Sequence, residues 1–358
     1  MPFRNTLRAV AAIVLLASGV SSAAVQFPEV RPGLALQFPR DHGAHPTFRN
    51  EWWYITGWLK RVDGSPLGFQ VTFFRFRPGI AEDNSSAFAP RQVLFVHAAL
   101  SDPAIGKLLH QERVYRNGFG LAQANVNDAD VELRDWILKR SADGSFHTTV
   151  RGNDFVLDLS LSPSQPVLLE SDHGYSRKGP KPADASYYYS VPHLSVSGTV
   201  VVNGRPERVT GTAWLDREWS SNYLDPQASG WDWVGMNLAD GGALMAFRIR
   251  DHAGKSFWAG GTLRDPDGTT HVFAPGDVEF APVRQWRSPQ TAATYPVEVI
   301  VRVRLSNGVR EWHLTPLFDN QEYDARATAG PIYWEGAVRA GASTGYLEMT
   351  GYFHPLRM

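Results

Sequence analysis

The 358-residue sequence has no cysteine and almost no net charge, and these two absences exclude several classes of protein. Without cysteine the chain cannot form a disulfide, a thiolate metal site, a cysteine nucleophile or a lipid-modified N-terminal cysteine. Because 35 Lys and Arg nearly balance 36 Asp and Glu, the composition gives no electrostatic reason to expect nucleic acid as a partner. The chain does contain 43% hydrophobic residues, which is typical of globular proteins, and it has many aromatic residues: 12 Trp, 12 Tyr and 19 Phe.

The first 24 residues have the order of a secretory signal peptide. Arg4 and Arg8 precede an apolar run over residues 9–16, and small residues follow up to Ala24. This run is shorter than the ~20 residues that span a bilayer, and no later segment of the chain could span one. We therefore expect a signal peptide over residues 1–24 that is cleaved, and a periplasmic or secreted protein.

The remainder of the chain has the pattern of an all-β protein. Segments such as residues 68–77 and 194–202 alternate in polarity or are rich in β-branched and aromatic residues. Asp-Gly and Asn-Gly pairs separate the segments, and we expect each pair to form a type I′ hairpin turn with two positive φ angles. These pairs are Asp63-Gly64, Asp143-Gly144, Asn203-Gly204, Asp240-Gly241, Asp267-Gly268 and Asn307-Gly308. The best candidate for a helix is residues 110–124, although its glycines weaken it.

The length of the chain suggests two domains. A run of turn-forming residues over 220–230 places the junction near residue 225, which predicts one domain over residues 25–225 and another over 226–358. Open sheet edges invite aggregation, so aromatic-rich antiparallel sheets usually close on themselves. We therefore predict two consecutive antiparallel β-barrels.

Tryptophan and acidic residues occur together in four clusters, which are the candidate functional residues. Their acids are Glu51, Asp216, Glu218, Asp232, Glu335 and Glu348, and their aromatic neighbours are Trp52, Trp53, Tyr54, Trp214, Trp231, Trp233, Tyr333 and Trp334. Because alternate residues of a strand share a face, Trp214, Asp216 and Glu218 should point away from Arg217. This spacing places carboxyl groups beside indole rings.

A carboxyl group among indole rings can have either of two roles. Poor solvation raises its pKa, so it could act as a general acid while aromatic faces stabilise the positive charge that protonation creates. Alternatively, Arg217 beside Asp216 and Glu218, and Arg49 near Glu51, could make these acids internal ion pairs that hold strands together. The residues alone leave both roles open.

The same motifs resemble a known family. EWWYITGWL from Glu51, GTAWLDREW from Gly211, the Trp231-Asp232-Trp233 triplet and the closing YWEG…GYLEMTGY are similar to carotenoid 1,2-hydratase (hydroxyneurosporene synthase) and its secreted, lipocalin-like relatives. The resemblance extends from about Pro39 to the C-terminus. It implies two consecutive lipocalin-like β-barrel domains that bind a hydrophobic, isoprenoid or lipid-like ligand.

The resemblance also implies a reaction, the addition of water to a C=C bond without a cofactor. The proton donor of the hydratases is an Asp whose matching position is Asp216, with Trp52, Trp53, Tyr54, Trp214, Trp231, Trp233, Tyr333 and Trp334 expected to bind substrate and Glu51, Glu218, Asp232 and Glu335 to support them. Arg217 follows Asp216 here and is expected to favour the ionised carboxylate. A lipid carrier working with an envelope transporter, and a secreted hydrolase, remain as alternatives.

Other chemistries receive little support from the sequence. The GASTG segment around Ser343 matches a nucleophile elbow in letters only, because no Asp and no helix signal follow it, and we expect a hairpin turn there. Asp41, His42 and His45 lack the spacing of a metal-binding motif, and we expect these histidines to be solvated. We expect no metal and no cofactor.

Overall fold

The computed structural model describes residues 25–80, 82–328 and 330–356, and it is built almost entirely of β-strands. The predicted signal peptide lies outside the described residues. Two short 3-10 helices, Arg40–His42 and Arg326–Thr328, are the helical elements of the described chain. None of the helices among those residues is long and apolar enough to cross a membrane.

Thirteen strands form the first antiparallel sheet, called the first barrel below. They are β1 (Asn50–Arg61), β2 (Pro66–Phe76), β3 (Val93–Asp102), β4 (Lys107–Arg116), β5 (Ala122–Ala124), β6 (Asp130–Leu133), β7 (Trp136–Arg140), β8 (Phe146–Arg151), β9 (Phe155–Pro163), β10 (Leu168–Leu169), β11 (Tyr175–Arg177), β12 (Ala185–Val202) and β13 (Arg205–Asn222). The order is β4-β3-β2-β1-β13-β12-β9-β8-β7-β6-β5, and β10 and β11 both pair with β12. The curled sheet brings β4 and β3 back against β6.

Ten strands form the second antiparallel sheet, called the second barrel. They are β14 (Ala228–Asn237), β15 (Ala243–Asp251), β16 (Ser256–Arg264), β17 (Thr270–Phe273), β18 (Val278–Arg287), β19 (Thr294–Leu305), β20 (Gly308–Pro316), β21 (Glu322–Asp324), β22 (Ile332–Ala340) and β23 (Ser343–Met349). Their order is β17-β16-β15-β14-β23-β22-β20-β19-β18, with β21 on β22, and β15 and β16 also contact β18. The fold is all-β and lipocalin-like, as the sequence predicts.

Strand alternation explains how each barrel obtains its core. Along β13, Ala213, Leu215 and Trp219 pack into the first barrel, while Trp214 belongs to a separate cluster between the barrels. Along β14, Val234 packs into the second barrel. Each of these strands therefore separates a barrel core on one face from the contact between barrels on the other.

The predicted hairpin turns form, but most of them in a different conformation. Only Asn203-Gly204 has positive φ at both residues, 51° and 74°. At Asp63-Gly64 the glycine alone has positive φ, and the Asp63 carboxylate accepts a hydrogen bond from the Ser65 amide at 2.9 Å. The same side-chain contact recurs at Asp143 and Asp267, because an Asp side chain mimics the backbone of a turn and holds its own φ negative.

The structure also bears on the helix expected over residues 110–124 and on the domain boundary expected near residue 225. Residues 110–124 form no helix: most of the segment lies in β4 and β5, with a glycine-containing turn between them. The domain boundary near residue 225 stays a prediction, and we note that the strands of one sheet end at Asn222 and those of the other begin at Ala228. The segment around Ser343 is the predicted turn, since Gly341 has a φ of 60° between β22 and β23.

Candidate functional site

The two barrels contact each other through a layer of aromatic and carboxylic side chains, called the seam below. It lies between the outward faces of β1, β2, β3, β12 and β13 and those of β14, β15, β22 and β23. Its buried apolar members include Tyr54, Tyr188, Trp214, Trp233, Met245, Phe247, Ala337 and Tyr346. The barrels approach closely at Gly68, where a Cβ atom would lie only 2.6 Å from the Tyr346 hydroxyl.

Asp216 lies in this seam, buried and surrounded by hydrogen-bond donors. Its Oδ1 accepts bonds from the Trp214 indole N–H and the Ser190 hydroxyl, both at 2.6 Å. Its Oδ2 accepts a bond of 2.5 Å from the Tyr188 hydroxyl, which itself accepts one of 3.0 Å from the Trp233 indole. Residues of β12, β13 and β14 therefore hold the carboxyl in one orientation.

Burial decides the protonation of Asp216. It raises the pKa of Asp216 to about 7, although the hydrogen bonds from Ser190, Tyr188 and Trp214 oppose the rise. The prediction that Arg217 favours the ionised form of Asp216 is wrong. The Arg217 side chain lies on the opposite face of β13, and its guanidinium contacts Glu51. The alternation that separates Trp214, Asp216 and Glu218 from Arg217 is as predicted.

A second carboxyl group, Glu170, shares a hydrogen-bond partner with Asp216. The Ser190 hydroxyl lies 2.7 Å from Glu170 Oε1 and 2.6 Å from Asp216 Oδ1. A hydroxyl has one hydrogen, so both contacts can be hydrogen bonds only when one of the two carboxyl groups carries a proton. Burial also raises the pKa of Glu170, to about 8. The pair is thus suited to hold and exchange a proton near neutral pH.

Among the residues that the structure describes, Glu218 is the one acid of the seam that pairs with a cation. The buried Lys178 ammonium lies 3.0 Å from Glu218 Oε1, and the Ser186 hydroxyl also donates to that oxygen. The same ammonium lies over the rings of Phe247, at 4.2 Å, and Tyr188, at 4.7 Å. Aromatic faces therefore stabilise a buried positive charge here, which is the property a cationic intermediate would need.

Glu335 and Glu348 face each other from neighbouring strands of the second barrel. They are directly opposite in the pairing of β22 with β23. Burial and the mutual repulsion of two carboxylates raise the pKa of Glu335 well above its ordinary value, and burial also raises that of Glu348. Glu348 keeps partial solvent exposure, whereas Glu335 is buried.

Three half-buried aromatic residues form a row at the edge of the seam. The Trp52 and Tyr223 rings meet edge to face at 4.8 Å, and Tyr223 meets Trp231 in the same way at 5.6 Å. Glu348 lies on this side of the seam, and both Glu348 and Trp231 are partly exposed to solvent. This aromatic row gives the seam a partly exposed apolar edge.

Two predicted site residues of β1 lie inside the first barrel instead of in the seam. Glu51 accepts hydrogen bonds from the guanidinium groups of Arg75 and Arg217. The Arg217 guanidinium also lies 3.9 Å from the ring centre of Trp53. The ion-pair alternative thus holds for Glu51, with Arg75 and Arg217 as its partners instead of Arg49.

Two more predicted residues lie inside the second barrel. Asp232 pairs with Arg248 and with Arg250, the latter at 3.2 Å. Trp334 is fully buried in the barrel core, and its indole donates to the Asp319 carbonyl at 2.7 Å. The predicted residues that do meet in the seam are Trp52, Tyr54, Trp214, Asp216, Glu218, Trp231, Trp233, Tyr333, Glu335 and Glu348.

Several seam residues escaped the sequence-based selection. Glu170 and Lys178 lie in the segment around β10 and β11, which has no tryptophan and no strong strand pattern, so no signal identified them. Tyr188 and Ser190 could have been found, because alternation along β12 places them on one face, opposite Glu218 and Asp216 in the register with β13.

The described residues contain no group of three or more His, Asp or Glu arranged to hold a metal ion. His42 and His45 are buried instead of solvated as expected: His42 bonds Tyr189 at 2.6 Å, and His45 contacts Asp41 and Glu51. Two open surface depressions lie beside Arg61 and beside Arg264, and the second is lined by residues of both barrels, among them Leu168 of the apolar cluster between the barrels. Neither of them contains Asp216, so we place the candidate site in the seam on chemical grounds.

Comparisons with known proteins agree with this architecture. The crystal structure of a protein designated AttH from Nitrosomonas europaea matches with 51% identity and a TM-score of 0.84, over 91% of this chain and 100% of that one. Kievitone hydratase from Nectria haematococca matches with 13% identity and a TM-score of 0.65, over 92% of this chain and 96% of the other, which indicates a shared fold. A search of curated proteins finds no match. A family model described as AttH-like matches residues 29–352. The chain therefore belongs to the AttH-like family.

Proposed function

We propose that this protein is a cofactor-independent hydratase that adds water across a C=C bond of an apolar, isoprenoid or lipid-like substrate bound in the seam. The observation that carries the proposal is the buried Asp216 carboxyl, whose pKa of about 7 keeps a large fraction of it protonated at neutral pH. A general acid is most effective when its pKa lies near the working pH.

The proposed reaction begins with proton transfer from Asp216. The π electrons of the double bond form a new C–H bond with that proton, and the other carbon becomes a cation. The faces of Trp231 and Trp233 stabilise this cation. A water molecule then forms the new C–O bond and gives its extra proton to an ionised Glu348, so that the substrate has gained one hydrogen and one hydroxyl. Glu348 releases this proton to solvent, and Asp216 takes up a proton from solvent, which returns both carboxyl groups to their starting states.

Two similarities support hydratase chemistry. One structural neighbour is itself a hydratase, and the segments around Gly211–Asp216 and Trp231–Trp233 resemble those of carotenoid 1,2-hydratase. A shared fold does not by itself fix function, so the environment of Asp216 carries more weight than either similarity. The proposal includes export: the signal-like residues 1–24 favour a protein of the periplasm or exterior, with its substrate in the cell envelope.

The first prediction concerns Asp216. Purified protein is incubated with an apolar extract of the native envelope in isotopically labelled water, and mass spectrometry detects products that have gained one labelled water. We expect Asp216→Asn to lower product formation by about a hundredfold or more, since an amide cannot supply the proton. The control is Asp158→Asn, which changes an exposed carboxylate of the first barrel and should leave turnover unchanged. Unchanged turnover in Asp216→Asn would remove this residue from the role of general acid.

A non-enzymatic carrier is the second candidate, and one observation favours it. Both oxygens of Asp216 already accept hydrogen bonds from protein groups, as a structural carboxylate would. In this function the seam binds a lipid and passes it to an envelope transporter. A lipid that co-purifies with the protein and gains no labelled water on long incubation would favour the carrier. A hydrolase has less support, because the Ser343 hydroxyl accepts a hydrogen bond from the Ala239 amide and, within the described residues, contacts no histidine.

A further inference from the structure

In the proposed reaction Asp216 loses a proton in every turnover, yet its carboxyl group is buried. The residue is only 3% exposed, so a proton from solvent must reach it through other groups of the protein. Among the described residues, three side chains donate hydrogen bonds to it: the Trp214 indole and the hydroxyl groups of Tyr188 and Ser190. A path from solvent has to end at one of these three groups.

Two of the three donors lead no further. An indole N–H donates a hydrogen bond but does not accept one, so Trp214 ends any path. The Tyr188 hydroxyl accepts its hydrogen bond from the Trp233 indole, at 3.0 Å, and therefore ends in the same way. Burial and the neighbouring carboxylates also raise the pKa of Tyr188 well above its ordinary value, so this hydroxyl keeps its own proton. Ser190 is the donor that remains.

The Ser190 hydroxyl joins Asp216 to Glu170. Its oxygen lies 2.6 Å from Asp216 Oδ1 and 2.7 Å from Glu170 Oε1, and both distances are usual for an O–H···O hydrogen bond. Strand register fixes this arrangement, because Ser190 of β12 lies opposite Asp216 on one side and opposite Leu168 of β10 on the other. The three side chains therefore form a continuous chain of hydrogen bonds.

A concerted transfer along this chain restores Asp216 without leaving a charge on Ser190. The hydroxyl hydrogen of Ser190 moves to the Asp216 carboxylate, and the proton of Glu170 moves to the Ser190 oxygen. Asp216 is then neutral, Ser190 is again a hydroxyl, and Glu170 has become the carboxylate. The pKa values of Asp216, about 7, and Glu170, about 8, are close, so the transfer costs little free energy.

The outer end of the chain adjoins the open depression that both barrels line. Leu169 and Ser171, the residues on either side of Glu170, line that depression, and Ser171 is partly exposed. The Ser171 amide donates to the Thr262 hydroxyl at 2.8 Å, and Thr262 in turn forms a hydrogen bond with the Glu170 carboxyl. Solvent in the depression is therefore separated from Glu170 by the residues next to it in the chain.

We propose that Glu170 and Ser190 return the proton to Asp216 after each turnover, taking it from solvent in this depression. This inference rests on the proposed function, since only a group that gives up its proton needs another. The positive charges of Lys178 and Arg264 act on Glu170 and stabilise its carboxylate after the transfer, whereas the charge of Asp216 opposes it. In this role Glu170 acts through Asp216 and need not contact the substrate.

The first test follows the Asp216 proton and needs no ligand. Protein at a pH below both pKa values is mixed rapidly with heavy water. Infrared spectroscopy then times the isotope shift of the Asp216 carboxyl band, which Asp216→Asn identifies. We expect Glu170→Gln and Ser190→Ala each to slow this exchange at least about tenfold, because each removes a group that passes the proton on.

The matched controls keep the chain of hydrogen bonds intact. Ser220→Ala changes a buried serine of β13 whose hydroxyl donates to the Ala185 carbonyl, and Glu112→Gln changes a carboxyl whose pKa is also raised by burial. Both controls should exchange at the wild-type rate. Wild-type exchange in Glu170→Gln and Ser190→Ala would overturn the path, and so would equal slowing in all four variants.

The second test compares the first turnover with later ones in the labelled-water assay. We expect Glu170→Gln to form the first equivalent of product at the wild-type rate, since Asp216 is already protonated, and to slow about tenfold or more afterwards. Imidazole buffer should restore the later turnovers of Glu170→Ala, because this small acid fits the space beside Ser190 and supplies the proton. A residue with only a structural role would slow all turnovers alike and would not respond to imidazole.

The outcomes separate the proton path from the reaction. Slowed exchange in Glu170→Gln and Ser190→Ala would support the path even if Asp216→Asn leaves hydration unchanged, a result that overturns the general acid alone. Loss of hydration in Asp216→Asn, together with wild-type exchange and wild-type later turnovers in Glu170→Gln, would overturn the path and leave Asp216 as the acid.

Discussion

At the scale of single residues, burial separates the acids of this chain into two kinds. Asp216, Glu170 and Glu335 are buried and Glu348 is partly exposed; none of the four pairs with a cation among the described residues, and their pKa values rise. Glu51 is equally buried, yet Arg75 and Arg217 lower its pKa despite the desolvation that opposes them. A buried acid is thus a candidate proton donor in one place and an ion-paired carboxylate in another, depending on the face of the strand on which it lies.

The Glu51 network should be important for stability. Glu51→Gln leaves the charges of Arg75 and Arg217 buried without compensation, and we expect a loss of about 3–5 kcal/mol in the free energy of unfolding. Urea unfolding followed by tryptophan fluorescence measures it. The control is Glu207→Gln, whose half-exposed carboxylate pairs with Arg61 and should contribute less than about 1 kcal/mol. Equal losses in the two variants would contradict a special role for the buried network.

Residue-level expectations from the sequence failed where neighbours in the chain were taken as neighbours in space. Arg217 follows Asp216 in sequence, but a strand directs consecutive side chains to opposite faces, so the two never pair. The expected ion pair between Arg49 and Glu51 was wrong for a related reason, because the partner of the Glu51 carboxylate is Arg75, from the next strand. Partners on another strand depend on register, which a single sequence does not give.

At the scale of elements, β13 supplies side chains both to the core of the first barrel and to the candidate site. Leu215 packs into the first barrel, whereas Trp214 and Asp216 face the seam. The period of two was readable from the sequence, which is why the seam side of β13 could be predicted. The β10–β11 segment could not, because Glu170 and Lys178 are positioned by short strands and loops that carry no periodic pattern.

Substitutions on the two faces of β13 should have different effects. Leu215→Ala leaves a cavity in the first barrel, and we expect it to cost about 2–5 kcal/mol of stability with little effect on Asp216. Trp214→Phe removes one donor to the carboxylate and should raise the pKa of Asp216 further above 7. The carboxyl band in infrared difference spectra, assigned with Asp216→Asn, follows this titration. A lowered pKa in Trp214→Phe would show that the indole acts mainly by excluding water.

At the scale of the whole molecule, the contact between barrels collects more buried carboxyl groups than cations. Near neutral pH the seam carboxyl groups of the folded protein therefore hold protons that the same groups of the unfolded chain have released. The lowered pKa values of His42, His97 and His110 act in the opposite sense, and this contribution fades as the pH rises through about 6.5 to 7.5, where histidines of the unfolded chain lose their protons. Toward pH 8 the carboxyl groups with raised pKa values therefore dominate the slope.

We expect stability to fall as the pH rises from about 6.5 to 8. Over this range Asp216, with a pKa of about 7, and Glu170, with a pKa of about 8, still bind protons in the folded state and none in the unfolded state. Each such group lowers the free energy of unfolding by up to about 1.4 kcal/mol per pH unit. Urea midpoints at several pH values measure the slope, and Asp216→Asn should reduce it. A stability that increases over this range would contradict the protonated seam.

The alternation of β13 also has a consequence for how such proteins can diversify. Since core positions and seam positions alternate along β1, β12, β13 and β14, a substitution at a seam position changes the contact between the barrels without altering the hydrocarbon core of either barrel. Related chains can thus differ in the residues between the barrels while keeping the same architecture.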